Sequence, residues 1–457
     1  MTMHDSRQEV GSMDEANTTP GVSRREFVRA ASAAATLPAI AGGFFIPASA
    51  RAAMNTRQDT VLKVGVIGCG GRGTGAAMQA LRADKNTVLV AMGDVFQDRI
   101  DSSLKGIKEE LGEAAAAQVQ VAPEKQFVGF DSYQKVIDSG VDVVLITGYP
   151  AFRPVHLKAA IAAGKHVFAE KPLAVDGPGI RSVLESAAEA KKKNLGLLVG
   201  FCWRYHQGMV ASFNEILKGT IGDVTTVHTT YHTSTLSKRP RKPGWTDLEF
   251  QMRNWWHMTW ISGDHIVEQA VHSIDRGAWA MGDRLPLKVN CLGGRAARSG
   301  PEHGNVFDHF AAIYEYEGGL RTFHTCRQQD STPSDNSDYV YGLKGSGVVN
   351  GFNNTFLMKD LAGKELWKFS GKATDMYQNE HDAFFASIRS GTPINDCVRG
   401  ANSTMMAIMA RMSAYTGQTI TWEQAMNSSE SLVPASLSFD MKLDAPVVAI
   451  PGKTKFV

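Results

Sequence analysis

In the stretch GDHIVEQAVHSID, the residues His265, Glu268, His272 and Asp275 stand three or four positions apart. At about 100° per residue, that spacing places all four within a quarter-turn arc of one helix. Two imidazoles and two carboxylates on one face make poor core filling, and three chemistries compete for them. His272 can take a proton from a hydroxyl as a general base, with Glu268 holding or tuning the ring. His265, Glu268 and His272 can instead share a metal ion, or the four can form a buried polar network that only fixes an interface. A second charged group, Glu170-Lys171-Pro172, closes the apolar run KHVFA. Proline removes a donor and bends the chain away, leaving Lys171 to stabilise or protonate an oxygen, or to pair with a carboxylate on a surface turn.

A third group is backbone in character. Gly68-Cys69-Gly70-Gly71-Arg72-Gly73 fits the spacing GxGxxG. The apolar strand VLKVGVI precedes it, a helix-compatible stretch follows, and Asp94 ends the next strand candidate at the offset of roughly 20 residues expected for a ribose-binding acid. Gly68 permits the tight turn, Gly70 lets the backbone approach a pyrophosphate, and Gly73 lets helix and strand pack closely. Free N–H groups and the dipole at the helix start favour the anion. Asp94 would accept from a ribose 2′-OH and repel a 2′-phosphate, which favours NAD, although Arg99 lies close enough to admit NADP. The cofactor contacts expected are Gly68, Gly70, Gly71, Arg72, Gly73, Asp94, Thr147, Glu170 and Lys171.

These groups need elements to hold them. VLKVGVIG, TVLVAMGD, DVVLIT, KHVFAE and LGLLVGF are nearly continuous apolar runs alternating with amphipathic stretches, the pattern of βαβ crossovers around a doubly wound parallel sheet. After Gly219 the pattern changes. DVTTVHTTYHT, PLKVNCLGG, FDHFAAIYEYEGG, LRTFHTCRQ and DYVYGLKGSGVVNG show partial two-residue alternation, which predicts a mostly antiparallel sheet. Helices around 263–281, 379–390 and 401–416 are expected to cover it. The domains expected are thus an N-terminal Rossmann-type α/β domain over 56–202 and an α+β domain over 203–457.

Composition narrows the partner. A formal net charge of +2 over 457 residues sets up no field for nucleic acid or an anionic surface, so a small molecule is the expected ligand. The five cysteines form no CxxC or Cys/His pair, which argues against a disulfide framework or a zinc site. Trp245, Trp255, Trp256 and Trp260 are half of the eight tryptophans. They sit just before the histidine motif, where aromatic rings could stack on a sugar face or could simply be core. The basic run from Lys238 to Lys242 reads as a solvated loop.

The ordered series GxGxxG, FDSYQKVID, DVVLIT, a proline with His156, AGKHVFAEKPLA, VGFCWRY and GTIGDV resembles the glucose-fructose oxidoreductase, inositol dehydrogenase and MocA superfamily, over most of the chain from Val61. The resemblance implies a Rossmann cofactor domain and an open antiparallel sheet used for substrate binding and oligomer contacts, hence a homo-oligomer. It puts the family's EKP lysine on Lys171 and its catalytic histidine on His272, and it calls for no metal. The substrate would be a carbohydrate or polyol touched by Arg204, Tyr205, Trp256, His265 and Asp275. Two departures from the family pattern bear on the substrate: Glu268 and Ala270 replace the acid and glycine before the histidine, and Thr147-Gly148-Tyr149-Pro150 replaces Thr-Pro-Asn. The implied reaction is oxidation of a sugar, cyclitol or glycoside hydroxyl. A redox-neutral glycosidase and a non-catalytic carbohydrate-binding protein are the alternatives.

The first 55 or so residues read as an export segment. Arg24-Arg25 with Phe27 and Val28 resembles a twin-arginine signal, and the apolar run behind it is too short and too rich in Ala and Gly to anchor the chain. Cleavage is expected near Ala50 or Ala52, leaving a periplasmic or otherwise exported protein that is not embedded in membrane. Because that route carries folded proteins, the cofactor would travel bound, and a tightly held dinucleotide is expected.

Overall fold

All ten hydrophobic runs resolve into two sheets in the computed structural model, which describes residues 60–457.

 Nine of the ten runs each supply one strand, and the tenth, DYVYGLKGSGVVNG, supplies a hairpin of two. The Arg24-Arg25 pair, the apolar run behind it and the cleavage positions lie outside the described residues.

The first sheet holds β1 (Leu62–Ile67), β2 (Thr87–Asp94), β3 (Gln126–Val128), β4 (Val143–Ile146), β5 (His166–Ala169) and β6 (Leu197–Val199) in the order β3-β2-β1-β4-β5-β6, with every pairing parallel. The crossovers are α1 (Gly71–Ala83), α2 (Gln97–Leu111), α3 (Ser132–Asp138), α4 (Arg153–Ala162) and α5 (Gly177–Lys192). Helices on both faces explain why β4 is buried along its whole length and why these strands read as unbroken apolar runs. The strand β3 was not legible as such, because its three residues, QFV, are half-buried or exposed and show no apolar run. Strand order reverses between β1 and β4, and the crevice beyond their carboxyl ends is where open α/β sheets take ligands.

The second sheet contains β7 (Val224–Thr233), β8 (Lys288–Gly294), β9 (His309–Glu315), β10 (Arg321–Gln328), β11 (Asp338–Gly342), β12 (Gly345–Asn350), β13 (Thr355–Asp360), β14 (Glu365–Lys368) and β15 (Ile420–Thr421). Their order is β14-β13-β12-β11-β7-β10-β9-β8-β15. All pairings are antiparallel except β7 with β10. Buried and less buried residues alternate along β10, as they must when one face meets the core and the other does not. The helix α6 (Gln207–Leu217) leads into this sheet, and α7 (Val271–Ala280) packs on β7.

The chain after the second sheet returns to the first. Helix α8 (Met376–Ser390) lies against α1, and α9 (Cys397–Thr416), buried over most of its length, packs against α5 and β8. From Ser428 onward there is no helix or strand. This tail runs back over the first sheet: the Leu432 N–H donates to Asp176 Oδ2 at 2.9 Å, and the Phe439 ring lies 5.8 Å from Phe96 and 5.1 Å from Phe130. A linear division at residue 202 therefore leaves out part of what encloses the parallel sheet. All five cysteines are buried free thiols, and among the described residues no helix is long and apolar enough to cross a membrane.

Candidate active site

The turn after β1 is built from backbone. Gly68 has φ of +94°, and a Cβ there would lie 2.3 Å from the Gly148 backbone. A Cβ on Gly73 would lie 2.0 Å from the Gly68 carbonyl oxygen. These two glycines are required by the protein's own packing. Gly70 and Gly71 are different, since a Cβ on either meets nothing within 4 Å. They face open space at the start of α1, where no side chain caps the helix N–H groups, a position that suits an anionic group. Thr147, at the end of β4, clamps the turn by donating its hydroxyl to the Gly68 carbonyl at 2.6 Å.

Two cavities meet at this turn. One of about 400 Å³ is lined by the glycine turn, Lys171, Trp255, Trp256 and His272, among others. The other, of about 250 Å³, runs past Gly129, Tyr133 and His156 and is roofed by Val433 to Leu437 of the C-terminal tail. Gly68, Asp94, Gly148 and Tyr149 line both. Asp94 sits at the junction, accepting from the Cys69 N–H at 2.6 Å and the Phe96 N–H at 3.0 Å. Burial lifts its carboxyl above the ordinary value, against the pull of those N–H groups. Two adjoining cavities that share Gly68 and Asp94, one of them lined by the open glycines Gly70 and Gly71, fit a dinucleotide.

Glu170 and Arg72 line this cavity and are paired with each other. The Arg72 Nε donates to Glu170 Oε1 at 2.5 Å, and its other nitrogens reach Gln79 at 2.7 Å and Glu380 at 3.3 Å. The guanidinium lies 4.8 Å from the Tyr377 ring centroid. Its side chain is thus committed within the protein, and Glu170 is the buried partner that holds it. Both residues line the cleft in which contact with the cofactor is expected of them.

Lys171 does reach the cleft. Its Nζ donates to the Glu268 carbonyl oxygen at 2.5 Å and lies 3.4 Å from Glu268 Oε1. Glu268 therefore engages the lysine, and the expectation that it holds the histidine is corrected. His272 lines the same cavity. Its Nδ1 is buried with no hydrogen-bond partner among the described residues, and its ring meets Phe201 edge-on at 6.0 Å. Burial, reinforced by the Lys171 and Arg276 cations, pushes its pKa well below the usual imidazole range. A neutral imidazole beside an ammonium group makes a base next to a cation that can stabilise an oxygen.

The expected four-residue stripe does not survive. The helix is interrupted: a short turn over His265–Glu268 ends at Gln269, and α7 begins at Val271. His265 is turned into the protein, with its Nδ1 3.1 Å from Asp264 Oδ1 and 3.2 Å from the Phe307 carbonyl, and it does not line the cleft. Asp275 is buried and receives Arg204 at 2.9 and 3.0 Å and the Ser403 hydroxyl at 2.7 Å. Arg204 also bonds Asp283 at 2.6 Å and lies over Trp279. Burial works against its charge, yet the Asp275 carboxylate more than offsets this and leaves the guanidinium more basic than usual. Tyr205 is packed beside it with its carbonyl accepting from Asn379. None of His265, Asp275, Arg204 and Tyr205 lines the cleft, so substrate contacts expected there are corrected to structural pairings. Trp256 does line it, with Trp255 5.2 Å away ring to ring. Among the described residues no group of three or more His, Cys, Asp or Glu could hold a metal ion.

Sequence reasoning missed Tyr149, Tyr231 and Gln269, all of which line the cleft. Gln269 lay inside the quoted motif, but a helical reading turns it off the polar face. Tyr231 sits in β7, where only the pairing of strands decides which end meets the first sheet.

Comparison with known proteins agrees with this architecture. Residues 62–201 match the family model described as oxidoreductase family, NAD-binding Rossmann fold, and residues 214–348 match the Gfo/Idh/MocA C-terminal domain. The chain is 32% identical over 270 residues to inositol 2-dehydrogenase of Cereibacter sphaeroides, covering 58% of this chain and 68% of that protein. Among solved structures it is similar to aldose-aldose oxidoreductase from Caulobacter crescentus complexed with glycerol (18% identity, TM-score 0.62, covering 79% of this chain and 99% of that one). It is also similar to levoglucosan dehydrogenase in complex with NADH and levoglucosan (19% identity, TM-score 0.59, covering 79% and 99%).

Proposed function

The chain belongs to the Gfo/Idh/MocA oxidoreductase family, and from that premise we propose that it oxidises a hydroxyl of a sugar, cyclitol or glycoside. The observation that carries this is the convergence of Lys171 and His272 on the cavity that also holds the open glycines Gly70 and Gly71. Bound NAD supplies the hydride acceptor. Neutral His272 takes the hydroxyl proton, and Lys171 holds the oxygen as its charge changes. The Glu268 carbonyl and carboxylate keep the lysine ammonium in place. Trp256 offers an apolar wall to a sugar ring. The names of similar proteins, which include inositol, aldose and levoglucosan as substrates, support the same substrate class.

A closed cycle is the second reading, favoured by the tail segment Val433 to Leu437 that roofs the inner cavity. A nucleotide enclosed there would leave slowly, so the reduced form would be spent on a second carbonyl substrate, or returned to the first as in a redox-neutral glycosidase. Export through the Arg24-Arg25 signal supports the same idea, because no pool of free NAD is expected outside the cytoplasm. The open face of the second sheet is proposed to meet another copy of the chain.

The test is to purify the protein and ask by denaturation whether dinucleotide comes with it. Polyols and glycosides are then added while nicotinamide absorbance and aglycone release are followed. A change of absorbance with a polyol supports oxidation, and aglycone release with no net change supports the redox-neutral cycle. No response to any polyol or glycoside would overturn the substrate class. Turnover only with added NAD would overturn the closed cycle.

A further inference from the structure

We propose that Gln269 recognises the substrate by donating a hydrogen bond to an oxygen next to the reacting carbinol, and that buried Arg298, acting through Gln328, fixes which end of the Gln269 amide faces the cleft. The proposal rests on the carbohydrate reading above and narrows it to substrates with a vicinal oxygen.

The argument is one of polarity. Arg298 and Gln328 are 6% and 2% exposed, and the Arg298 Nη2 donates to Gln328 Oε1. A guanidinium only donates and stays protonated, so the Gln328 atom facing it has to be oxygen. The Gln328 NH2 group then points the other way, where it donates to Gln269 Oε1 at 2.7 Å. That bond uses the Gln269 oxygen and leaves its own NH2 group for the cavity that Gln269 lines together with Glu268 and His272. Among the described residues no acceptor takes those Gln269 protons. An amide whose ends would otherwise be interchangeable is therefore set as a donor. A lone alcohol leaves that donor unmatched, whereas a vicinal diol, or a ring oxygen beside the carbinol, satisfies it.

Gln328 is a positioning residue, and its role separates from a merely structural one. In Gln328→Glu the carboxylate still accepts from Arg298 but has no proton for Gln269, so the Gln269 amide turns and shows the cleft its oxygen. The experiment titrates myo-inositol and D-glucose, with their monodeoxy analogues, into the holoenzyme by calorimetry and measures KM and kcat for those oxidised. Gln269→Ala is expected to raise Kd and KM about tenfold, the scale of one lost hydrogen bond, with kcat within about threefold. It is also expected to abolish the wild-type discrimination against one particular deoxy analogue. Gln328→Glu is expected to weaken binding similarly with no loss in Tm, and the double variant is expected to bind no worse than Gln269→Ala alone.

Unchanged Kd and unchanged deoxy discrimination in Gln269→Ala, or full additivity of the two substitutions, overturns the proposal. Wild-type protein that binds none of these polyols overturns the carbohydrate reading and this one together. Wild-type protein that binds them, with Gln269→Ala indistinguishable from it, overturns only the role of Gln269.

Discussion

The cleft has two ends made in different ways. At the glycine turn, side chains are nearly excluded: Gly68 and Gly73 have no room for a methyl group, and Gly70 and Gly71 leave open space for a ligand. At the other end the surface is made of side chains brought from far apart, such as Lys171 and Glu268, which are 97 positions apart in the chain. One end is local backbone shape, written into a few consecutive residues. The other exists only once β5, β7 and α7 are assembled. Binding of the cofactor and chemistry on the substrate should therefore be separable by mutation.

The largest effect should come from the chemical end. His272→Ala is expected to lower kcat by about a hundredfold to ten-thousandfold, the usual range for a general base, while nucleotide released on denaturation stays at the wild-type amount. If that variant also arrives without nucleotide, the two ends are not separable. Next come the glycines, which divide by what they face. Gly73→Ala drives a methyl into the Gly68 carbonyl and should cost about 1–3 kcal/mol of stability, read as a lowered Tm together with lost nucleotide. Gly71→Ala meets no protein atom, so it should leave the Tm of nucleotide-free protein unchanged while weakening nucleotide binding about tenfold. Equal Tm losses in the two variants would erase the distinction.

The smallest expected effect is in the pH profile. Because burial and two neighbouring cations depress the His272 pKa, the ring stays unprotonated as pH falls through the ordinary histidine value of about 6.5. Activity that depends on the neutral base should hold its kcat/KM through that value and decline only at lower pH. A profile that halves near pH 6.5 would mean that His272 is solvated, or that it is not the base.

The same contrast explains what was legible in the sequence. The glycine turn, Asp94 and Lys171 were readable because a strand, a turn and a helix fix them locally, and the two sheet types followed from continuous against alternating apolar runs. The stripe from His265 to Asp275 failed because its geometry assumed an unbroken helix. The chain breaks at Gln269, with His265 held by Asp264 and Phe307 on one side and Asp275 held by Arg204 and Ser403 on the other. Apart from Asp264, those partners are distant in sequence, so no spacing rule could reveal them. The partner of Arg72 in α8, Glu380, was hidden for the same reason, since it lies 308 positions away. Short strands such as β3 and β15 carry too few residues for any periodicity to register.

The tail from Ser428 has a consequence for the order of events during synthesis. It lies after both sheets in the chain and contributes the roof, Val433 to Leu437, over the inner cavity. On a ribosome the parallel sheet and its glycine turn emerge long before that roof exists. Until then the inner cavity lacks the side that the tail later covers, with Phe439 against Phe96 and Phe130. A nucleotide bound before the tail docks would be covered by it, which ties the last step of folding to what the cleft contains.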